Sequence, residues 1–282
     1  MSGTDLLRLR EEERDRLLDR LVASLERDER VVAAWLSGSL GRGTADAWSD
    51  VDVWVVVADA EAANVIEALP AFVAAVAHPV LVLEAPANAP PGGGYLLALY
   101  QGETGAHQID WYWVPRSTAR VPAGARVLFD RLGLLPEPAA APFAEGERAA
   151  ALTHAGADFW IAVLLAGKAV ARRRPWAATR MIGWAAAALA EVEWLVAHDG
   201  PASHDDLKAT GHEGRWAFPG LAPETQLAVL LRVAAAMAAL APDVAALGGE
   251  TAPDGARQVS TFLDSVGDSL APGLPSDGIG EA

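Results

Sequence analysis

The chain has 282 residues, room for one large domain or two modest ones, and its 52% hydrophobic and 21% charged composition is globular rather than disordered or fibrous. It has no cysteine, which excludes disulfides, thiolate catalysis and cysteine-ligated zinc, so any metal must be held by oxygen or imidazole. The 37 acidic against 22 basic residues leave a formal net charge of -15, which argues against a long nucleic-acid contact and suits a cationic small molecule.

Residues 5–27 place Leu6, Leu7, Leu17, Leu18, Leu21, Val22 and Leu25 at mostly helical spacing among charges, which predicts an amphipathic first helix. Residues 31–36 are a short apolar run with the look of a buried strand. Residues 37–49, rich in Gly, Ser, Thr and Asp, predict a loop or a loop with a helical turn. Residues 51–57 are dense in β-branched side chains and predict a strand. A helix over 61–77, a strand over 78–83, a Pro/Gly loop over 88–94 and a hairpin of 95–100 with 106–114 follow. The Pro-rich stretch 115–142 ends at the expected domain boundary. Beyond it, residues 147–174, 176–198, 223–240 and 256–270 read as helices, and the polar tail 271–282 as disordered. No apolar run approaches the roughly 18 residues of a membrane span, because Glu191 and Glu193 interrupt the best candidate, and the first ten residues lack a signal-like apolar region. The expectation is a soluble, cytoplasmic protein without a membrane partner.

The chemistry concentrates between Gly38 and Asp52. Residues two apart on a strand face the same side, so Asp50 and Asp52 present neighbouring carboxylates while Val51 and Val53 pack behind them. Such like charges repel unless a cation sits between them, and oxygen-only ligation suits Mg²⁺. At Gly38-Ser39, a residue without a side chain lets backbone N–H groups approach a triphosphate, and a hydroxyl can donate to it. Arg42 adds a cation to the same loop. These parts together would clamp a nucleoside triphosphate for in-line attack at its α-phosphorus.

The run Gly38-Ser39-Leu40-Gly41-Arg42-Gly43-Thr44-Ala45, followed by Ser49-Asp50-Val51-Asp52-Val53, resembles the signature of the DNA polymerase β-type nucleotidyltransferase superfamily, in the branch that holds aminoglycoside and lincosamide adenylyltransferases. The resemblance covers about the first 115 residues and implies a third carboxylate on a later strand, a place that Asp110 fills. Glu84, at the end of the strand before the Pro/Gly loop, is the rival for that role, and either carboxylate could be the general base. The helical half is more loosely similar. There Phe159-Trp160, Lys168, Arg172 and Trp176 resemble the helical domain of antibiotic adenylyltransferases, which implies that Lys168 reaches the triphosphate. The six histidines show no ligand-like spacing and read as structural or surface residues.

The expected fold is an α+β nucleotidyltransferase domain, a mixed sheet with flanking helices, over 1–142, then an all-α helical-bundle domain over 143–270, with the active site in the cleft between them. The expected reaction moves a nucleoside monophosphate, AMP from ATP, to a hydroxyl of a small, cationic, aminoglycoside-like acceptor and releases pyrophosphate. Mg²⁺ would be held by Asp50, Asp52 and Asp110, and the triphosphate by Gly38, Ser39, Arg42 and Lys168. The alternatives are a nucleotidyltransferase acting on a protein or an RNA end, and a non-catalytic, antitoxin-like binding module.

Overall fold

The computed structural model describes residues 3–138, 141–202, 207 and 219–270. The tail read as disordered, 271–282, lies outside the described residues. The chain divides into two compact units, Met1–Ala139 and Ala140–Ala282.

The first unit opens with helix α1 (Gly3–Arg27) and strand β1 (Val31–Leu36), then the short helix α2 (Gly38–Arg42) and strand β2 (Val51–Val57). Helices α3 (Ala62–Glu67) and α4 (Leu69–Val76) lead to β3 (Pro79–Glu84), β4 (Gly94–Gly102), β5 (Gly105–Pro115) and β6 (Arg126–Asp130). The strands form one mixed sheet in the order β3-β4-β5-β2-β1-β6, with β2 and β5 parallel and the other pairs antiparallel.

Alternation along the strands gives the sheet two unlike faces. Val51, Val53, Val55 and Val57 of β2, Ile109, Trp111 and Trp113 of β5, and Leu96, Ala98 and Tyr100 of β4 share one core with Leu17, Leu21 and Leu25 of α1, Val65 of α3, and Phe72 and Val73 of α4. Each such large aliphatic or aromatic side chain contributes about 1.5–3 kcal/mol on burial, which is what seats the helices on this face. The other face carries Asp52, Trp54, Asp110 and Tyr112, the intervening residues of the same strands.

Two expectations change here. The helix expected over 61–77 is a 3-10 turn (Asp59–Glu61) followed by α3 and α4, which meet at Ala68. Pro70, in the first turn of α4, has no N–H to continue a helix arriving from residue 66, so the break falls just before it. The Pro-rich stretch 115–142 also contains β6, the edge partner of β1. Its residues are exposed or half-buried on both sides, so no alternation marks it in the sequence.

A buried carboxylate ties α1 to the β4–β5 turn. Glu13 accepts hydrogen bonds from the backbone N–H of Glu103 at 2.6 Å and of Thr104 at 3.2 Å and from the Thr104 hydroxyl, and lies 3.1 Å from His107 Nε2. Burial alone would raise its pKa; the Thr104 hydroxyl, the His107 ring and the two backbone amides outweigh it and hold the group at about 2, against 4.5 normally. A depressed folded-state pKa gives stability that is fully present above 4.5 and is lost as pH falls towards 2. Glu13→Ala is therefore expected to cost about 2–3 kcal/mol in urea unfolding at neutral pH. The difference from wild type should shrink when unfolding is repeated below the ordinary carboxylate range; a gap that is constant with pH would show that packing, not charge, carries the contact.

In the second unit, α5 (Glu147–Ala171), α6 (Pro175–Ala197), α7 (Pro223–Ala246) and α8 (Pro253–Leu270) share one core, in which Leu152, Phe159, Val163 and Val170 meet Leu189, Leu230, Met237 and Leu263. Buried Gln226 pins α7 to α6 by donating to Pro175 O at 3.0 Å and Thr179 Oγ1 at 3.2 Å. Two of these helices, α5 and α7, are long and apolar enough to cross a membrane by length and composition alone, which corrects the expectation that no such run exists. Along most of their length they carry few charges, Asp158 and Lys168 in α5 and Arg232 in α7, and the alanines between read as apolar. Core helices of a bundle have the same composition.

Candidate active site

The turn after β1 is built around close backbone approach. Ser37 N–H donates to Asp52 O at 3.0 Å, which carries the β1–β2 pairing past the end of β1. Gly38 follows with φ 60°, and a Cβ there would lie 2.1 Å from Asp52 Oδ2. Only glycine lets the backbone adopt this conformation and pass against that carboxylate. Gly41 is equally constrained, since a Cβ would lie 2.6 Å from Leu36 O. Ser39 is half-buried in this turn and Arg42 is exposed at the end of α2.

A second turn sets Asp50. The Asp46 carboxylate accepts from the Ser49 hydroxyl and the Trp48 N–H, each at 2.9 Å, and these bonds, the Ser49 hydroxyl first, lower its pKa. Arg14 of α1, itself buried, donates to Asp46 O at 2.5 Å and fastens the turn to the helix. Asp50 thus leaves a fixed turn one residue before β2 begins.

The parallel pairing of β2 with β5 places Asp52 directly beside Asp110. Asp50, Asp52 and Asp110 each offer a carboxylate oxygen, all within 4.8 Å of one another. Asp110 is 4% exposed; its Oδ1 accepts from the Tyr95 hydroxyl and its Oδ2 from Gln108 Nε2 at 2.6 Å. The same Gln108 nitrogen lies 3.4 Å from Asp50 Oδ2. Neither Tyr95 nor Gln108 stands out in the sequence pattern. Alternation from Asp110 could have flagged Gln108, whereas Tyr95 needed the β4–β5 register.

One cross-strand row along the same face stand Trp35, Trp54, Tyr112 and Tyr95, in register on four adjacent strands. Trp35 and Trp54 stack at 5.8 Å, Trp54 and Tyr112 at 4.6 Å, and Tyr95 tilts against Tyr112 at 5.0 Å. Trp54 Nε1 donates to Ser37 Oγ at 3.1 Å, tying this row to the glycine turn. Burial, then the negative charges of Asp110, Asp52 and Asp50, push the Tyr112 hydroxyl up to about 12. That is the field a cation would meet here.

Glu84 does not join the cluster. It lies on the edge strand β3, exposed, and pairs with Leu96, whose side chain is in the helix-side core, whereas Asp110 pairs with Leu97. Directly paired residues share a face and successive residues alternate, so Glu84 stands on the opposite face from Asp110, two strands away. Glu84→Gln is expected to leave nucleotidyl transfer near the wild-type rate, measured by pyrophosphate release; a loss comparable to that in an Asp110 variant would return the role to Glu84. Lys168 belongs to the second unit, half-buried in the last turn of α5. Phe159 and Trp160 pack edge to face in that unit's core, and Trp176 is exposed.

Residues 18–82 match the family model of the nucleotidyltransferase domain. The match contains Gly38, Ser39, Asp50 and Asp52 and ends before β5, so Asp110 joins the set through the sheet register. No curated protein matches the chain significantly. The crystal structure of an aminoglycoside 6-adenyltransferase from Bacillus subtilis is similar over 91% of this chain and 98% of that chain, at 12% identity and a TM-score of 0.31, too slight a likeness to carry any role across.

Proposed function

We propose that this chain, a nucleotidyltransferase by its domain, moves a nucleoside monophosphate, AMP from ATP, to a hydroxyl of a small cationic molecule of the aminoglycoside kind and releases pyrophosphate. The observation that carries the reading is the convergence of Asp50, Asp52 and Asp110 within 4.8 Å beside the Gly38 turn. An all-oxygen set of three carboxylates at this spacing fits Mg²⁺. When bound, the ion neutralises charge on the phosphoryl oxygens of the transfer. Asp50 and Asp52 would hold it. Asp110, with Oδ1 fixed by Tyr95, has Oδ2 as the atom for a third ligand bond or for the proton of the acceptor hydroxyl. Gly38, Ser39 and Arg42 are assigned to the triphosphate; the close approach of the Gly38 backbone to Asp52 supports the first of these.

One observation favours a cationic acceptor and another a small one. The net charge of -15 attracts cations and repels nucleic acid. A cavity of about 540 Å³, lined by Trp35, Trp54, Val114 and Arg120 among others, lies on the face that bears Asp52 and has the size of a small-molecule site. The test is binding of kanamycin- or streptomycin-like compounds with Mg²⁺ and a non-hydrolysable ATP analogue at two ionic strengths. Binding that weakens with salt is expected. Modification of a neutral acceptor, a protein or an RNA end, with no cationic compound bound, would defeat the acceptor assignment and leave nucleotidyl transfer standing.

A further inference from the structure

The Gln108 amide occupies an unusual place. Its Nε2 lies within reach of oxygens on two of the three carboxylates, 2.6 Å from Asp110 Oδ2 and 3.4 Å from Asp50 Oδ2. A carbonyl oxygen there would face two negative groups, so the amide nitrogen is the end that chemistry requires. Its partly positive hydrogens sit between like charges, where a shared cation would also sit. Tyr95 holds the other oxygen of Asp110.

We propose that the Gln108 amide and the divalent cation compete for one place between Asp50 and Asp110, and that Tyr95 fixes the Asp110 carboxylate in the orientation both require. The proposal rests on the reading of Asp50, Asp52 and Asp110 as a metal site. The competition is for space: a cation about 2.0–2.1 Å from oxygens of both carboxylates would lie where the amide hydrogens now point. Gln108 is thus a positioning residue that offsets the repulsion between Asp50 and Asp110 until the cation takes over. Deleting the amide removes that relief and makes cation binding more favourable. Loosening Asp110 by removing the Tyr95 hydroxyl makes binding less favourable. A fixed cation at position 108 shuts the metal out.

The experiment is Mn²⁺ binding to the full chain, read from the paramagnetic resonance of free Mn²⁺, together with thermal melts in EDTA and in Mn²⁺. Gln108→Leu is expected to bind Mn²⁺ severalfold more tightly than wild type and to melt lower in EDTA. Tyr95→Phe should bind severalfold more weakly. Gln108→Lys should lose Mn²⁺ binding while melting higher than wild type in EDTA, a combination that a merely structural role does not produce. Equal or weaker binding by Gln108→Leu, or wild-type binding by Gln108→Lys, overturns the proposal. Failure of the metal reading looks different: wild type and Asp52→Asn would then bind Mn²⁺ equally poorly, and the competition would fall with it.

Discussion

Asp52→Asn should abolish nucleotidyl transfer while leaving the fold intact. The side chain keeps its size and loses the charge that holds the metal, and the loss is expected to exceed about 10³-fold in turnover, roughly 4 kcal/mol of transition-state stabilisation. Stability should hold or rise slightly, because Asp50, Asp52 and Asp110 repel one another at separations within 4.8 Å and removing one charge relieves the others. Asp50→Asn should behave alike. Turnover is read from pyrophosphate release and stability from thermal melting; near wild-type turnover in either variant contradicts the metal assignment, and a collapse in melting temperature would make the activity loss uninformative about it.

Gly38→Ala is the second large effect, and it acts through geometry rather than charge. The added methyl would stand 2.1 Å from Asp52 Oδ2 at a φ of 60°, so either the turn or the carboxylate must move. The left-handed conformation alone costs about 1–2 kcal/mol for a residue with a side chain, and a displacement of about 1 Å at a reacting site commonly costs about 10²-fold in rate. Gly43→Ala separates the two contributions: its φ is 71°, yet a Cβ there meets nothing within 4 Å. That variant should lose a similar increment of stability and far less activity. Equal activity losses in the two variants would mean that backbone strain, and not the approach to Asp52, makes Gly38 necessary.

The parts of the fold that local pattern governs were legible in the sequence, and those that depend on pairing were not. The bounds of β1 and β2 follow from uninterrupted apolar and β-branched runs, and the sequence reading placed them at the residues where the structure has them. The break between α3 and α4 was also available, in Pro70, but the apolar periodicity on either side of it concealed the joint. Strand β6 had a weaker signal: Arg126–Asp130 pairs with the edge of β1, its Leu128 and Phe129 are only half-buried against the helix-side core, and its burial does not alternate.

The site divides in the same way. Asp50 and Asp52 are marked by spacing after Gly38-Ser39, and strand alternation around Asp110 puts its carboxylate on a defined face. The choice between Asp110 and Glu84 needed the order of the sheet, since β5 lies beside β2 while β3 lies at the edge. Tyr95 is further removed still, reaching Asp110 from a neighbouring strand whose register no single-strand pattern reveals.

The central claim is that Asp50, Asp52 and Asp110 hold a divalent metal for transfer of a nucleoside monophosphate. The most direct measurement is pyrophosphate release from each of the four nucleoside triphosphates in turn, with Mg²⁺ and a panel of aminoglycosides and lincosamides, by wild type and by Asp52→Asn. Release by wild type that requires Mg²⁺ and an acceptor, stops with EDTA and is absent from Asp52→Asn is the predicted result. Release that persists in EDTA, or that Asp52→Asn sustains at the wild-type rate, would contradict it.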